Sequence, residues 1–88
     1  MVNNNKGTIL WVDDEIELLR PHILLLSEKG YTVDSAPNGD DAIAMVEKKN
    51  YDLVFLDEMM PGKGGLETLS AIKEISPEIP VVMVTKNE

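Results

Sequence analysis

The sequence predicts an α/β fold in which a parallel β-sheet is covered by helices, with the element order β-α-β-α-β-α-β. Two observations carry this prediction. Short apolar runs, which suit strands covered on both faces, alternate with longer segments whose apolar residues recur at helical spacing. The connections are short, and strands and helices that alternate in this way form parallel sheets with right-handed crossovers. The 88 residues are enough for one small domain with a core.

The composition is that of an ordinary water-soluble domain. Apolar residues make up 43% of the sequence and charged residues 27%, both usual for a globular chain. The net charge of −8 argues against direct binding to nucleic acids or anionic membranes, because both need a cationic surface. No apolar run reaches membrane-spanning length, no signal-peptide pattern leads the chain, and cysteine is absent; together these favour the cytoplasm.

The chain should begin with a tail, a strand and a helix. Met1–Gly7 is polar and predicts a flexible tail. Thr8–Val12 (TILWV) is an apolar run that predicts a buried strand. The following helix should have Asp14 as its N-cap, bend at Pro21 and end at Gly30. Its apolar face is formed by four residues at helical spacing, Ile16, Leu19, Ile23 and Leu26.

A second strand and helix follow. Tyr31–Ala36 alternates, with polar residues on one side, which predicts an edge strand. Pro37–Gly39 is expected to form a turn. Asp40–Lys49 carries apolar residues at helical spacing and predicts the second helix, in which Met45 should fill the core.

The chain is organised around the third strand. Leu53–Leu56 is an unbroken apolar run, typical of a central parallel strand, and it stops at Asp57. A loop rich in glycine leads to the third helix, which Ser76 and Pro77 close. The helix should bury one face, formed by Leu66, Leu69, Ile72 and Ile75. Pro80–Thr85 then predicts a fourth strand that is apolar on both sides.

Three of the four predicted strands end in polar side chains. Asp13 and Asp14 end the first, Asp57 the third and Thr85 the fourth. Parallel strands bring these ends to one edge of the sheet, where neighbours lie about 4.8 Å apart and where open α/β sheets bind ligands. Taken alone, Asp57 is equally well explained as a turn or capping residue at the end of a strand. The second acidic pair favours a functional site.

Carboxylates gathered at this edge should require a cation. Two charges about 4 Å apart repel by on the order of 4 kcal/mol at an effective dielectric of about 20, and a bound divalent ion relieves that repulsion. Oxygen ligands favour Mg²⁺, Mn²⁺ or Ca²⁺ over zinc. Because the sequence has no EF-hand loop, Mg²⁺ fits best, with Mn²⁺ as an alternative. An open magnesium site beside a carboxylate suggests phosphoryl transfer onto that carboxylate.

These motifs resemble the receiver domain of two-component response regulators, a CheY-like family. The matching positions are Asp13, Asp14, Asp57, Met60, Pro61, Gly65 and Thr85, which include a D-x-x-M-P-x-x-x-G run. The resemblance covers nearly all of the chain. It implies a flavodoxin-like, doubly wound parallel sheet with strand order 2-1-3-4. Among receivers, the sequence looks closest to the PorX-type regulators of type IX secretion in Bacteroidetes.

The resemblance also implies roles for individual residues. Asp57 resembles the acceptor of a phosphoryl group from a sensor histidine kinase, and it also resembles a member of the set that holds the metal ion. Asp14 resembles a direct Mg²⁺ ligand, Asp13 a ligand acting through water, and Met59 a ligand through its backbone carbonyl. Thr85 resembles the hydroxyl that meets the phosphoryl oxygen and signals activation. Such a domain is a signalling switch that assists its own phosphorylation and is not an enzyme in the usual sense.

The sequence departs from the family pattern at its end. A receiver has five strands and five helices, so residues 8–88 are expected to be a partial receiver, truncated after the fourth strand. That strand would become an exposed edge through which a second copy pairs to form a dimer. Lys86 stands where the family usually has a small residue, and it should narrow access to Asp57.

Two other functions compete with the phosphorylated switch. A pseudo-receiver would bind partners without accepting phosphate. A haloacid-dehalogenase-type phosphatase would need an aspartate two residues after Asp57, where Met59 stands. The run Gly62–Gly65 does not continue as a P-loop. A PorX-type parent would carry a separate, C-terminal PglZ-type phosphodiesterase-like domain in place of a DNA-binding one.

Overall fold

The predicted alternation of strands and helices is present in the computed structural model, which describes residues 6–60, 62 and 64–85. The elements are β1 Gly7–Val12, α1 Ile16–Glu28, β2 Tyr31–Ala36, α2 Gly39–Lys48, β3 Leu53–Asp57, α3 Gly65–Ile75 and β4 Val81–Val84. The ends of the four strands and of α2 and α3 lie at the predicted residue or one residue away from it. None of the described helices is long and apolar enough to cross a membrane.

The strands form one parallel sheet in the order β2-β1-β3-β4. Val12 lies between Ala36 on one side and Leu56 on the other, while Asp57 lies opposite Val84. The strands therefore end along the same edge of the sheet. This confirms the doubly wound, flavodoxin-like arrangement with strand order 2-1-3-4, and it places β2 at an edge as its polar side predicts.

The core lies between the sheet and the helices α2 and α3. Alternate residues of the two central strands face it and are fully buried: Leu10, Val12, Val54 and Leu56. Ala42 and Val46 of α2 and Ile72 of α3 close the other side. Met45 is partly buried against this cluster, which confirms it as a core residue.

The opposite face of the sheet is only partly covered. Helix α1 packs mainly against β2, and none of its residues is buried. Trp11 packs against Phe55 of β3, with ring centroids 4.8 Å apart, and against His22 of α1 at 6.3 Å. Val82 of β4, the register partner of Phe55, is 45% exposed. An apolar surface therefore remains open over β3 and β4.

The start of α1 differs from the prediction. Asp14 was expected to be the N-cap, but Glu15 occupies that position and makes no capping bond with its side chain. The carboxylate of Asp13 instead accepts a hydrogen bond from the backbone N–H of Glu15, because a side-chain oxygen reaches the N–H two residues on in an Asx turn. Pro21 does not interrupt the helix. Gly30, with φ of 104°, follows its end as predicted.

The buried face of α3 also differs from the prediction. Leu66 is 72% exposed and Ile75 is exposed as well. The buried residues are Gly65, Thr68 and Ile72. Thr68 can face the core because its hydroxyl donates to the carbonyl of Gly64 at 2.9 Å, so its polar group is satisfied within the helix. The prediction is confirmed for Ile72, which is fully buried, and Leu69 packs against the core, whereas it is wrong for Leu66 and Ile75.

A cluster of titratable side chains fixes β2 to the junction of α2 and β3. The Tyr51 hydroxyl donates to Oδ2 of Asp34 at 2.7 Å, and Lys49 Nζ donates to the same oxygen at 2.9 Å. The hydrogen bond from Lys49 holds the pKa of Asp34 below its usual value, with a smaller contribution from Tyr51. Burial, and then the neighbouring Asp34 carboxylate, raises the pKa of Tyr51 well above its usual value.

Asp34→Asn should make the stability of the protein less sensitive to acid. The lowered pKa means that ionised Asp34 stabilises the fold above its unfolded pKa of about 4, and this stability is lost as the pH falls through the lower folded value. Between about pH 6 and about pH 3, the free energy of unfolding measured in urea should therefore fall more steeply for the wild type than for Asp34→Asn. Glu47→Gln, at an exposed position of α2, is the control and should follow the wild type. Parallel curves for the wild type and Asp34→Asn would contradict this role.

Candidate metal centre at the carboxyl edge of the sheet

Three aspartates meet at the carboxyl edge of the sheet because β1 and β3 are neighbours. Asp13 and Asp14 follow β1, and Asp57 is the last residue of β3. One carboxylate oxygen from each of the three lies within 4.8 Å of the others. The structure therefore brings together side chains that are more than 40 positions apart in the sequence.

Two of these aspartates are removed from solvent and one is not. Asp57 is 0% exposed and Asp13 is 1% exposed, whereas Asp14 is exposed. Ionised carboxylates are costly to bury unless they are paired, hydrogen-bonded or bound to a metal. The three side chains, called the acidic cup below, thus comprise two enclosed carboxylates and one, that of Asp14, on the side that faces solvent.

Each buried carboxylate is oriented by the turn that follows it. Oδ1 of Asp13 accepts from the N–H of Glu15 at 2.8 Å, and Oδ1 of Asp57 accepts from the N–H of Met59 at 3.0 Å. Both are bonds from a side chain to the backbone two residues on, which restrict the rotamer of the aspartate. For Asp57 this bond agrees with the turn role that the sequence left open beside the functional one, whereas the bond of Asp13 was not predicted.

The sheet ladder continues one residue past the strands and holds the backbone of the cup. The N–H of Asp13 donates to the carbonyl of Ala36 at 3.0 Å. The N–H of Glu58 donates to the carbonyl of Val84 at 3.0 Å. The residues next to the cup are therefore fixed by both neighbouring edge strands, and the carboxylates are presented by rigid backbone.

The donor set fits a hard divalent cation. All three donors are carboxylate oxygens, which suit Mg²⁺ or Mn²⁺ better than softer metals. Two oxygens on opposite sides of an octahedral Mg²⁺ are about 4.2 Å apart, from metal–oxygen distances of about 2.1 Å. The three carboxylate oxygens lie within 4.8 Å of one another, so they would have to move slightly closer together for all three to coordinate Mg²⁺ directly. No such movement is needed if one of the carboxylates binds the ion through a water molecule.

The other residues that were predicted for the site lie near it to different degrees. Thr85 is exposed and directly follows Val84, the register partner of Asp57, so it lies at the same edge of the sheet. Met59 lies between β3 and α3 and is 70% exposed. Lys86, the residue expected to narrow access, lies outside the described residues.

A doubly wound parallel sheet with an acidic cup at its carboxyl edge defines an α/β domain that can hold a divalent cation beside a buried carboxylate. The family follows from comparison with known proteins. The model of the response regulator receiver domain matches residues 9–88, and the chain belongs to this family. Members of the family are phosphoacceptors that bind Mg²⁺ through acidic residues and receive their phosphoryl group from sensor histidine kinases.

Curated relatives support this assignment over most of the chain. The transcriptional regulatory protein ResD of Bacillus subtilis is 42% identical over 85 residues, which are 97% of this chain and 35% of ResD. A homologue of the transcriptional regulatory protein CpxR from Haemophilus influenzae is 43% identical over 77 residues, 88% of this chain and 33% of that protein. The chain thus spans about a third of the length of these relatives.

Solved receiver structures have the same fold. The response regulator TrrA of Thermotoga maritima, crystallised with Mg²⁺–BeF, is 37% identical with a TM-score of 0.83, covering 92% of this chain and 70% of TrrA. A CheY-like receiver domain from Methanospirillum hungatei is 28% identical with a TM-score of 0.86, covering 92% of this chain and 65% of that one. The chain is therefore a response regulator receiver domain, homologous to transcriptional response regulators.

Proposed function

We propose that Asp57 accepts a phosphoryl group from a histidine kinase in a Mg²⁺-dependent phosphorelay, and that its phosphorylation switches an output. The observation that carries this proposal is the burial of Asp57 at the end of β3, with carboxylate oxygens of Asp13 and Asp14 within 4.8 Å of its own. A carboxylate in this position can act as a nucleophile toward a phosphoryl group that is held by a shared cation.

The transfer makes one bond and breaks one. A carboxylate oxygen of Asp57 forms a bond to phosphorus as the bond from phosphorus to the donor's imidazole nitrogen breaks, and the released imidazole takes up a proton from water. Asp14 is proposed to bind Mg²⁺ directly, Asp13 through a water molecule, and Met59 through its carbonyl; Mn²⁺ can take the same place. The cation, when bound, offsets the negative charge of the phosphoryl oxygens.

Two residues after β4 are proposed to act on the phosphorylated state. The hydroxyl of Thr85 would donate a hydrogen bond to a phosphoryl oxygen and so report phosphorylation to the surface. This is supported by its position directly after Val84, opposite Asp57. Lys86 is proposed to narrow the approach to Asp57, and Lys86→Ala should then shorten the lifetime of the phosphorylated protein.

Mass spectrometry after incubation with Mg²⁺ and acetyl phosphate tests the proposed function. The wild-type chain should gain one phosphoryl group, an increase of about 80 Da, located on Asp57. The absence of any adduct would instead support a pseudo-receiver that only binds partners. Release of inorganic phosphate without accumulation of an adduct would support a phosphatase.

Self-association along β4 is proposed as an additional property of this chain. Among the described strands, β4 has a neighbour on one side only, and its open edge presents backbone hydrogen-bonding groups that a second copy can pair with. Exposed Val82 lies beside this edge. Because each copy carries a charge of −8, added salt should strengthen the association. A monomeric mass in light scattering, at low and at high salt, would contradict it.

We further propose a PorX-type parent protein of type IX secretion, with a PglZ-type effector domain and a location in the cytoplasm. The support for this assignment is the sequence resemblance alone, and the relatives compared above are transcriptional regulators. Direct contact of this domain with nucleic acid is not expected, because its net charge is −8. A DNA-binding domain in the same polypeptide would contradict the PorX-type assignment.

A further inference from the structure

Gly65, the first residue of α3, lies directly against the backbone of the metal centre. A Cβ atom added at this position would lie 3.0 Å from both the Cα and the carbonyl oxygen of Glu58, and 3.0 Å from Cε of Met83. Favourable contacts between carbon atoms lie at about 3.5–4.0 Å, so a side chain at position 65 requires its neighbours to move. The methyl group of Met83 can rotate away, whereas the backbone of Glu58 cannot.

Glu58 is held on its other sides by the groups that build the cup. It lies between Asp57 and Met59, and its N–H donates to the carbonyl of Val84 at 3.0 Å. The next N–H, that of Met59, donates to Oδ1 of Asp57 at 3.0 Å. A displacement of Glu58 therefore acts on the turn that orients Asp57 and that carries the carbonyl of Met59.

Helix α3 cannot easily retreat to make room. Gly65, Thr68 and Ile72 are its buried residues, and Ile72 belongs to the core cluster. The hydroxyl of Thr68 donates to the carbonyl of Gly64, which ties the first turn of the helix together. The distance between this turn and Glu58 is therefore set by the core packing of α3 and by the hydrogen bond of Glu58 to β4. The two can lie this close because position 65 has no side chain.

We infer that Gly65 is a positioning residue of the metal centre. By allowing the first turn of α3 to lie against Glu58, it fixes the turn between Asp57 and Met59 in the geometry that presents both to a cation. This inference rests on the proposed Mg²⁺ site. Helix α3 contributes no proposed ligand of its own. Through Gly65 it places the Asp57 carboxylate and the Met59 carbonyl, both of which are proposed to contact the ion.

Gly65→Ala tests the inference against a control one residue away. Titration with MgCl₂ by calorimetry should give a dissociation constant raised about tenfold, the lower end of the range for changes in groups that orient metal ligands. Gly64→Ala should bind Mg²⁺ like the wild type, because an added Cβ there meets nothing within 4 Å and its φ of −72° suits alanine. Equal dissociation constants for the two variants would overturn the inference.

Hydrogen exchange in the metal-free protein gives a second reading that does not depend on the ion. The Met59 amide should exchange faster in Gly65→Ala than in Gly64→Ala, because the displaced turn weakens its hydrogen bond to Asp57. If Gly65 served only the stability of the fold, Gly65→Ala would lower the free energy of unfolding without changing the exchange of this amide or the dissociation constant for Mg²⁺. That result would also overturn the inference. If Gly65→Ala is partly unfolded, both glycine variants are compared in trimethylamine N-oxide, which favours the folded state and leaves the clash with Glu58 in place.

These readings separate the inference from the proposed function on which it rests. A wild-type chain that binds no Mg²⁺ would overturn the proposed metal site, whereas the exchange of the Met59 amide would still decide whether Gly65 positions the turn. A wild-type chain that binds Mg²⁺ as tightly as Gly65→Ala would leave the metal site in place and remove the role of the glycine.

Discussion

Asp57→Asn should abolish phosphorylation of this receiver domain. The amide of asparagine has no anionic oxygen that can attack phosphorus, and no other described carboxylate is both fully buried and the last residue of a central strand. The shapes of the two side chains are nearly the same, and the asparagine oxygen can still accept from the N–H of Met59, so the fold should be kept. With acetyl phosphate and Mg²⁺, the variant should show no mass increase of about 80 Da.

A second aspartate, at the other end of β3 and outside the strand, provides the matched control. Asp52 lies just before β3 at the opposite edge of the sheet, where its carboxylate accepts from the N–H of Thr8 at 2.7 Å. Asp52→Asn should be phosphorylated like the wild type. Asp57→Asn should also be at least as stable as the wild type without metal, because one of three neighbouring charges has been removed. If Asp57→Asn showed the same mass increase as the wild type, a residue other than Asp57 would be the acceptor of the phosphoryl group.

Leu56→Ala should have the largest effect on stability among single changes in β3. Leu56 is fully buried in the core cluster, directly before Asp57. Truncating a buried leucine to alanine costs about 2–5 kcal/mol through lost burial and the cavity that remains. The free energy of unfolding of a whole domain is only about 5–15 kcal/mol. The variant should therefore lose a large share of its free energy of unfolding and unfold at a lower urea concentration than the wild type.

Urea denaturation measures this effect, with Leu66→Ala as the control. Leu66 is the same residue type but 72% exposed on α3, so its truncation should change the free energy of unfolding by about 0.5 kcal/mol or less. Similar losses for the two variants would mean that β3 does not form the centre of the core.

The sequence predicted the sheet because its strands are chemically distinct. Leu53–Leu56 is apolar at every position, as a strand with neighbours on both sides requires, and Tyr31–Ala36 has a polar side that suits an edge. The convergence of Asp13, Asp14 and Asp57 followed from the same topology, because parallel strands end together. That β1 and β3 are neighbours, which this convergence also needs, came from the strand order implied by the resemblance to receiver domains.

Three features that depend on the exact placement of atoms were not predicted: the buried face of α3, the N-cap of α1 and the contact of Gly65. The apolar spacing of α3 assigned Leu66 to the core, whereas the structure buries Thr68, whose hydroxyl is satisfied by a backbone carbonyl. The N-cap of α1 was assigned to Asp14, whereas Glu15 occupies that position and donates its N–H to the carboxylate of Asp13. The D-x-x-M-P-x-x-x-G run marks Gly65, but its contact with Glu58 was not predicted, because the contact depends on how closely a helix and a strand end approach each other.

The central claim is that the acidic cup is a binding site for one small divalent cation. Titration of Mg²⁺ into the wild type and Asp57→Asn tests it most directly, read by the fluorescence of Trp11, the only tryptophan and two residues before Asp13, and by calorimetry. The wild type should bind one Mg²⁺ saturably, and Asp57→Asn, which lacks one anionic ligand, should bind it more weakly. Absence of saturable binding to the wild type, or equal affinity in the two proteins, would contradict the claim.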